Sequence, residues 1–267
     1  MECMLELSGT IPAHYSLFTI HYSLMQVSSQ IAYILHKRDY RETSSIIDVL
    51  TKDYGRVSLM VRGGRGPKSR IAANLLLFTP LVVSWQGRGS LPYVKSIERA
   101  ELKAPQLKSR ALLSAMYINE LLTYLLHSHD EQAAVFEHYH HCLYALQDPL
   151  QLEITLRRFE LKLLELLGFG LNLVSEADSA ELIAADARYR YHPEHGPVRI
   201  REATASTRLP EISGACLQAL AAESYDLLSQ NPRYMAELKS LMRFVIAHHL
   251  GNKTLKSRDL FRPLVAS

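Results

Sequence analysis

Ile46-Ile47-Asp48-Val49-Leu50-Thr51-Lys52-Asp53-Tyr54-Gly55-Arg56-Val57-Ser58-Leu59-Met60-Val61 decides the fold. Two β-branched, apolar runs, Ile46–Leu50 and Val57–Val61, flank Asp53-Tyr54-Gly55, whose glycine accepts a positive φ. This is the pattern of a β-hairpin. Upstream, Ile31-Ala32-Tyr33-Ile34-Leu35 is a further short apolar run. Downstream, Arg62-Gly63-Gly64-Arg65-Gly66-Pro67-Lys68-Ser69-Arg70 is a basic, glycine-rich loop by composition. Leu75–Trp85 and Leu91–Ile97 supply two more β-like stretches around Gln86-Gly87-Arg88-Gly89, with Pro80 bending the first or placing it at an edge. Five short strands with glycine-rich turns in about 70 residues predict a small barrel, and the OB-fold is the leading candidate.

Beyond Pro105 the period changes. Leu107, Ala111, Leu112, Ala115, Ile118, Leu121, Leu122 and Leu125 recur at steps of three and four, which predicts an amphipathic helix. Further helices are expected over residues 131–147, from near Pro149 to Leu167, over 213–228 and over 234–250, with a short helical piece at 181–186. Residues 188–200 read as a surface hairpin turning at Pro193-Glu194-His195-Gly196. The expected class is therefore α+β: an OB-fold β-barrel over residues 27–102, then an α-helical domain over 103–267 with a small hairpin insertion at about 171–210. Residues 1–26 read as an extension outside this pattern. Their charges are Glu2 and Glu6, and His14, Ser16, Thr19 and His21 interrupt the apolar residues, so they lack the basic start and continuous apolar core of a secretory signal. Met25 stands just before the first patterned strand and is the expected start.

The 267 residues are 48% hydrophobic and 21% charged, the balance of a chain with a real core rather than of a disordered one. Three scattered cysteines, Cys3, Cys142 and Cys216, exclude a disulfide framework and point to a reducing compartment. No run of 18 apolar residues is present, so no membrane-spanning helix is expected. Thirty basic against 27 acidic residues say little until divided. Residues 30–100 hold 12 Lys/Arg and five acids, a net +7, while the remainder is slightly acidic. That asymmetry suits a polyanion-binding module joined to a scaffold; an ordinary solvated surface is the plainer alternative.

Catalytic motifs are missing. The Walker phosphate loop needs glycine directly before its lysine and again five positions earlier, where this chain has Pro67 and Arg62. A flexible basic loop that follows phosphates fits Arg62–Arg70 better. Of the histidines at 127, 129, 138, 140 and 141, only His138 and His141 share a helical face, with no carboxylate or thiol at a matching spacing. Neither a metal nor a cofactor is expected. Aromatic residues are interleaved with the basic ones. Phe78 and Trp85 read as barrel core, whereas Tyr40 and Tyr54, beside Arg41 and Arg56, are candidates to stack on bases.

Tyr33-Ile-Leu-His-Lys-Arg-Asp-Tyr-Arg-Glu-Thr-Ser44, Tyr54-Gly-Arg-Val57, Arg62-Gly-Gly64, Phe78-Thr-Pro-Leu81 and Trp85-Gln-Gly-Arg-Gly89 follow one another in order. So do Tyr117-Ile-Asn-Glu-Leu-Leu122, Leu156-Arg-Arg-Phe-Glu160, Leu167-Gly-Phe-Gly170 and Leu255-Lys-Ser-Arg-Asp-Leu-Phe261. Through these motifs, over about residues 27–264, the chain resembles the RecO family of bacterial DNA repair proteins. The resemblance implies a cytoplasmic, nucleoid-associated recombination mediator that is not an enzyme. Such a protein binds single- and double-stranded DNA, anneals complementary strands, works with RecR, and engages single-stranded DNA-binding protein (SSB) to load recombinase. Many members carry a four-cysteine zinc element after the Gly-Phe-Gly stop; this chain has no cysteine between Leu171 and Arg208, so zinc is not expected.

On this reading the DNA surface comprises Lys37, Arg38, Arg41, Arg56, Arg62, Arg65, Lys68 and Arg70. Arg157, with Arg158 and Lys162, is expected to receive the acidic C-terminal tail of SSB, whose free carboxylate wants a cation at the edge of an apolar groove. An intrahelical ion pair of Arg157 with Glu153 or Glu160 is the competing reading. A protein-binding adaptor without DNA affinity and a metal-dependent hydrolase using the histidine-rich helix remain the alternatives.

Overall fold

The structure, a computed structural model, describes residues 25–65, 70–87, 89–201 and 208–260, the side chains of Met25, Arg70 and Leu260 excepted. Residues 1–24, Lys68 and the side chain of Arg70 thus lie outside the described residues. The chain opens with β1 (Met25–Tyr40), β2 (Ser44–Thr51) and β3 (Gly55–Val61), then a single turn α1 (Arg70–Ala73), β4 (Leu81–Gly87) and β5 (Tyr93–Arg99). The strands close into a barrel in the order β1-β2-β3-β5-β4, the five-stranded Greek-key arrangement of an OB-fold.

β1 makes closure possible. Its first half pairs with β4, from Met25 opposite Gly87 to Ala32 opposite Leu81, and its second half with β2, from Ala32 opposite Thr51 to Tyr40 opposite Ser44. Register shifts at Val27/Gln30 and Ile34/His36 bend the strand so that it serves both neighbours. The sequence shows only its apolar centre, because the flanking residues are polar. The predicted hairpin is present, with Gly55 at φ +60.

Side chains at Val57, Leu59, Val61, Leu81, Val83 and Trp85 alternate into the barrel. β2 instead is buried from Ser45 to Thr51: Ile47 and Val49 face the barrel interior, while Leu50 packs outward into the helical core. Double-sided burial explains why Ile46–Leu50 reads as a continuous apolar run. The stretch from Leu75 is strand only from Leu81 onward; Pro80, which has no N–H for a ladder, precedes the strand and accepts a bond from Ala100 through its carbonyl. Phe78 is buried as expected, but in the helical core rather than inside the barrel.

The second part contains α2 (Ser109–Leu125), α3 (Ala133–Ala145) and α4 (Leu152–Leu166), then a three-stranded sheet of β6 (Arg188–His192), β7 (Gly196–Arg199) and β8 (Glu211–Ser213). α5 (Gly214–Ala221), α6 (Tyr225–Gln230), α7 (Pro232–Leu250) and the short α8 (Ser257–Leu260) follow. The helix expected at 181–186 does not form: Ile183 is buried while Glu181 and Leu182 are exposed, so no apolar stripe exists to hold one. The helical stretch expected over 213–228 is divided at Glu223, which adopts φ +50, and Ser213 belongs to β8 instead. α7 starts at a conventional cap, Asn231 accepting from the N–H groups of Arg233 and Tyr234 with Pro232 in the first turn.

The outer barrel residues Tyr33, Leu35, Leu50 and Phe78 share one core with Ile118, Leu121, Phe136 and Tyr139 of α2 and α3. Polar bonds fix the register of that contact. The Asn119 amide donates to the carbonyls of Leu35 (2.9 Å) and Ile34 (3.3 Å) and accepts from the Tyr139 hydroxyl (2.6 Å). Gly55 is needed here for a second reason: a Cβ would lie 1.8 Å from the Asp130 carbonyl oxygen.

Candidate nucleic-acid interface and anion-binding cleft

The tip of the β1–β2 hairpin and the turn after β3 meet at one end of the barrel. Arg65 joins them, donating from its backbone N–H to Thr43 O (3.3 Å) and from Nη1 to Arg41 O (2.9 Å), with Nη2 3.3 Å from the Asp39 carboxylate. Arg41 occupies the turn at φ +54 and lays its guanidinium 5.2 Å over the Tyr40 ring. Arg62 lies 4.7 Å over the ring of Tyr93 at the start of β5. Lys37 and Arg38 are exposed on the last residues of β1 and make no ion pair among the described residues. Arg41 and Arg65 are therefore brought together with Tyr40, while Lys37, Arg38 and Arg62 lie toward the same end of the barrel, Lys37 and Arg38 on opposite faces as successive strand residues.

Arg56 and Tyr54 are placed elsewhere. Arg56 donates to the Leu126 carbonyl (3.2 Å) and to Ser128 Oγ (3.1 Å), and its own carbonyl accepts from His129 N (2.9 Å), so it belongs to the seam with the helical part. Tyr54 packs edge-on against Trp85 at 5.4 Å and closes the barrel core.

The expected trio on α4 is divided. Adjacent helical residues point about 100° apart. Arg158 and Lys162, four apart, share a face lined also by Tyr225: Arg158 lies 5.0 Å over that ring, and Lys162 bonds Glu165 at 2.7 Å. Arg157 is turned away from that face and into the protein. It is only 6% exposed and bonds the fully buried Glu160 at 2.6 Å, as the ion-pair reading had it, although inside the protein rather than on its surface. Glu160 also accepts from the Tyr117 hydroxyl (2.6 Å), and burial pushes its pKa up against the pull of Arg157.

Arg157 Nε has no hydrogen-bond partner among the described residues, and its side chain lines a cleft of about 170 Å³. Leu152, Leu156 and Tyr117 form apolar walls; Arg110, Lys239, Arg243 and Arg258 add positive charge. Lys239 bonds Glu153 (2.9 Å), whereas among the described residues exposed Arg110 and Arg243 make no ion pair and buried Arg258 Nη2 has no hydrogen-bond partner. These four cations were not anticipated. Two signals were available: Lys239 and Arg243 sit at i and i+4 on one helix, and Arg258 lies in the Leu255–Phe261 motif. Glu120 holds Arg258 in place by accepting from Lys256 N (2.9 Å), Ser257 N (2.9 Å) and Ser257 Oγ (2.6 Å).

The histidine-rich helix is structural in its contacts. His138 stacks flat on Phe159 at 4.9 Å, and burial holds its pKa down; His140 Nδ1 is 2.6 Å from the Tyr33 hydroxyl, across the seam. Burial likewise drives the thiols of Cys142 and Cys216 up, that of Cys216 to about 12, which keeps both protonated and unreactive.

An OB-fold barrel with a basic end, fixed to a helical body with a cationic cleft, makes an α+β protein of two parts. Family profiles agree with that division: "Recombination protein O N terminal" matches residues 25–102 and "Recombination protein O C terminal" matches 107–259. The chain is 41% identical over 231 residues to the DNA repair protein RecO of Methylococcus capsulatus, covering 86% of this chain and 91% of that one. It is 40% identical over 240 residues to RecO of Nitrosococcus oceani (90% and 95%) and 35% over 237 to that of Haemophilus influenzae (89% and 97%). The chain belongs to the RecO family of DNA repair proteins, which places it in DNA repair and recombination. No helix among the described residues is long and apolar enough to cross a membrane.

Proposed function

We propose that this protein is a non-enzymatic recombination mediator that binds single- and double-stranded DNA through the barrel end, anneals complementary strands, and receives the acidic C-terminal tail of SSB in the Arg157 cleft. Lys37, Arg38, Arg41, Arg62 and Arg65 neutralise phosphates, with Tyr40 beside them to stack on a base; Lys68 and the side chain of Arg70, which lie outside the described residues, are assigned to the same surface by sequence, while Arg56 and Tyr54 contribute through the barrel's shape. RecR is the expected protein partner, and the setting is the cytoplasm, at the nucleoid.

The observation that carries the reading is the set of exposed cations, Lys37, Arg38, Arg41 and Arg62, at the hairpin end of an OB-fold, where that fold receives oligonucleotides. The cleft supports the tail assignment by its chemistry, since apolar walls beside unpaired guanidinium groups suit an apolar C-terminus with its free carboxylate. Arg158 and Lys162, on a different face of α4, do not line that cleft. Titration of a labelled oligonucleotide at two salt concentrations tests the first half. Affinity should fall by roughly 0.7 log unit per log unit of salt for each single-strand phosphate held; absent or salt-insensitive binding favours an adaptor without DNA affinity. Tail-peptide binding to Arg243→Ala tests the second, unchanged affinity refuting it.

A further inference from the structure

The Arg157 cleft does not end at α7. A second hollow of about 550 Å³ runs along the other side of that helix, between the segment from Arg208 to Glu211 and the side chains of Ser240 and Phe244. Lys239 and Arg243 line both hollows and so form the sill between them. Leu209, Pro210 and Phe244 give the outer hollow an apolar floor. Its one acid among the described residues, Glu211, is engaged by Arg188 (3.7 Å) and Arg190 (3.3 Å), whereas exposed Arg208 makes no ion pair among those residues. On the opposite flank, the cleft borders a third hollow with Lys108 and Arg110, but there Glu153 and the 90% exposed Leu150 intervene.

A cleft of about 170 Å³ matches the volume of roughly six waters, enough for a terminal side chain and its carboxylate but not for a longer peptide. Any chain anchored there must leave it, and the exit with the greater positive charge is over α7: Lys239, Arg243 and Arg208 stand there with Glu211 already engaged, against Lys108 and Arg110 on the other flank, whose Glu153 is held by Lys239. Four extended residues span about 13 Å, enough to cross a helix whose diameter with side chains is about 10–12 Å. We infer that the acidic residues preceding the anchored terminus cross α7 over Lys239 and Arg243 and end against Arg208, so that Arg208 recognises acidic sequence rather than the terminal carboxylate. This rests on the cleft being the peptide-tail site.

The test is fluorescence anisotropy on the full chain with three labelled peptides: four aspartates followed by apolar residues and a free carboxylate, the same peptide without its aspartates, and the long peptide amidated. Arg208→Glu is expected to weaken the long peptide about tenfold and leave the short one unchanged; the short peptide thus reports that the variant is folded. If Arg208→Glu leaves the long peptide untouched, or Lys108→Glu weakens it instead, the path is wrong although the cleft stands. Amidation that changes nothing would overturn the cleft assignment itself. A single-stranded oligonucleotide that displaces the long peptide from the wild type, but not from Arg208→Glu, would assign the outer hollow to nucleic acid and overturn the inference.

Discussion

The barrel end and the helical cleft are both basic, yet their cations are built in opposite ways. Lys37, Arg38, Arg41 and Arg62 stand in solvent on strand ends and turns, close together in sequence. Arg110, Arg157, Lys239, Arg243 and Arg258 come from four helices, α2, α4, α7 and α8, and converge on apolar walls. An open array serves a flexible chain of repeating phosphates and is screened by salt. A walled cleft serves one carboxylate beside an apolar group and is screened less. On the proposed function one molecule would separate a sequence-tolerant contact from a specific one, and the two arrays share no residue.

Four changes would break or sharpen that contrast. The largest effect is expected at the seam that holds the two parts in register. Asn119→Leu removes the acceptor of the buried Tyr139 hydroxyl and the amide donor to the carbonyls of Ile34 and Leu35. Urea denaturation should show about 3 kcal/mol or more of lost stability.

Next comes Glu237, which accepts from Ser213 N (2.9 Å) and Ser213 Oγ (2.6 Å) and pairs with Arg188 and Arg233, tying the small sheet to α7. Burial works to raise its pKa, but these donors prevail and hold it below the usual carboxylate value. Because the folded value is the lower one, the contribution is present above the unfolded pKa of about 4.3 and lost as pH falls through the folded value. Glu237→Gln should cost roughly 2 kcal/mol at neutral pH and flatten the acid limb of a thermal-stability profile.

Arg110→Ala combined with Arg243→Ala should weaken tail-peptide binding about tenfold, close to 1.4 kcal/mol, with oligonucleotide affinity unchanged; calorimetry on both ligands separates the two. The smallest effect belongs to single barrel-end cations. Each of Arg38→Ala, Arg41→Ala and Arg62→Ala should lower the salt slope for single-stranded DNA by about 0.7, leaving peptide binding alone.

The same contrast explains what could be read from the chain before its structure. The β2–β3 hairpin was legible because strand, turn and strand are contiguous, and the basic barrel end because its cations are neighbours in sequence. The full length of β1 was not, since its polar ends are held by pairing with β2 and β4 rather than by their own apolarity. Glu181–Asp186 and the break at Glu223 went wrong for the same reason: tertiary packing decides short segments. The cleft was visible only as Arg157, because its other cations arrive from helices far along the chain. That Arg158 could not join Arg157 follows from helix geometry alone, and Arg56 went to the seam because Leu126 and Ser128 offer it acceptors.

The measurement that tests this account most directly is the rate of annealing of complementary strands, naked and coated with SSB, by two variants. With naked strands, the triple change Arg38→Ala, Arg41→Ala, Arg62→Ala should slow annealing at least tenfold, while Arg110→Ala with Arg243→Ala leaves it unchanged; with coated strands both variants should be slow. Equal behaviour of the two variants on naked strands, or full activity of the cleft variant on coated ones, would contradict the division of labour between barrel and helices.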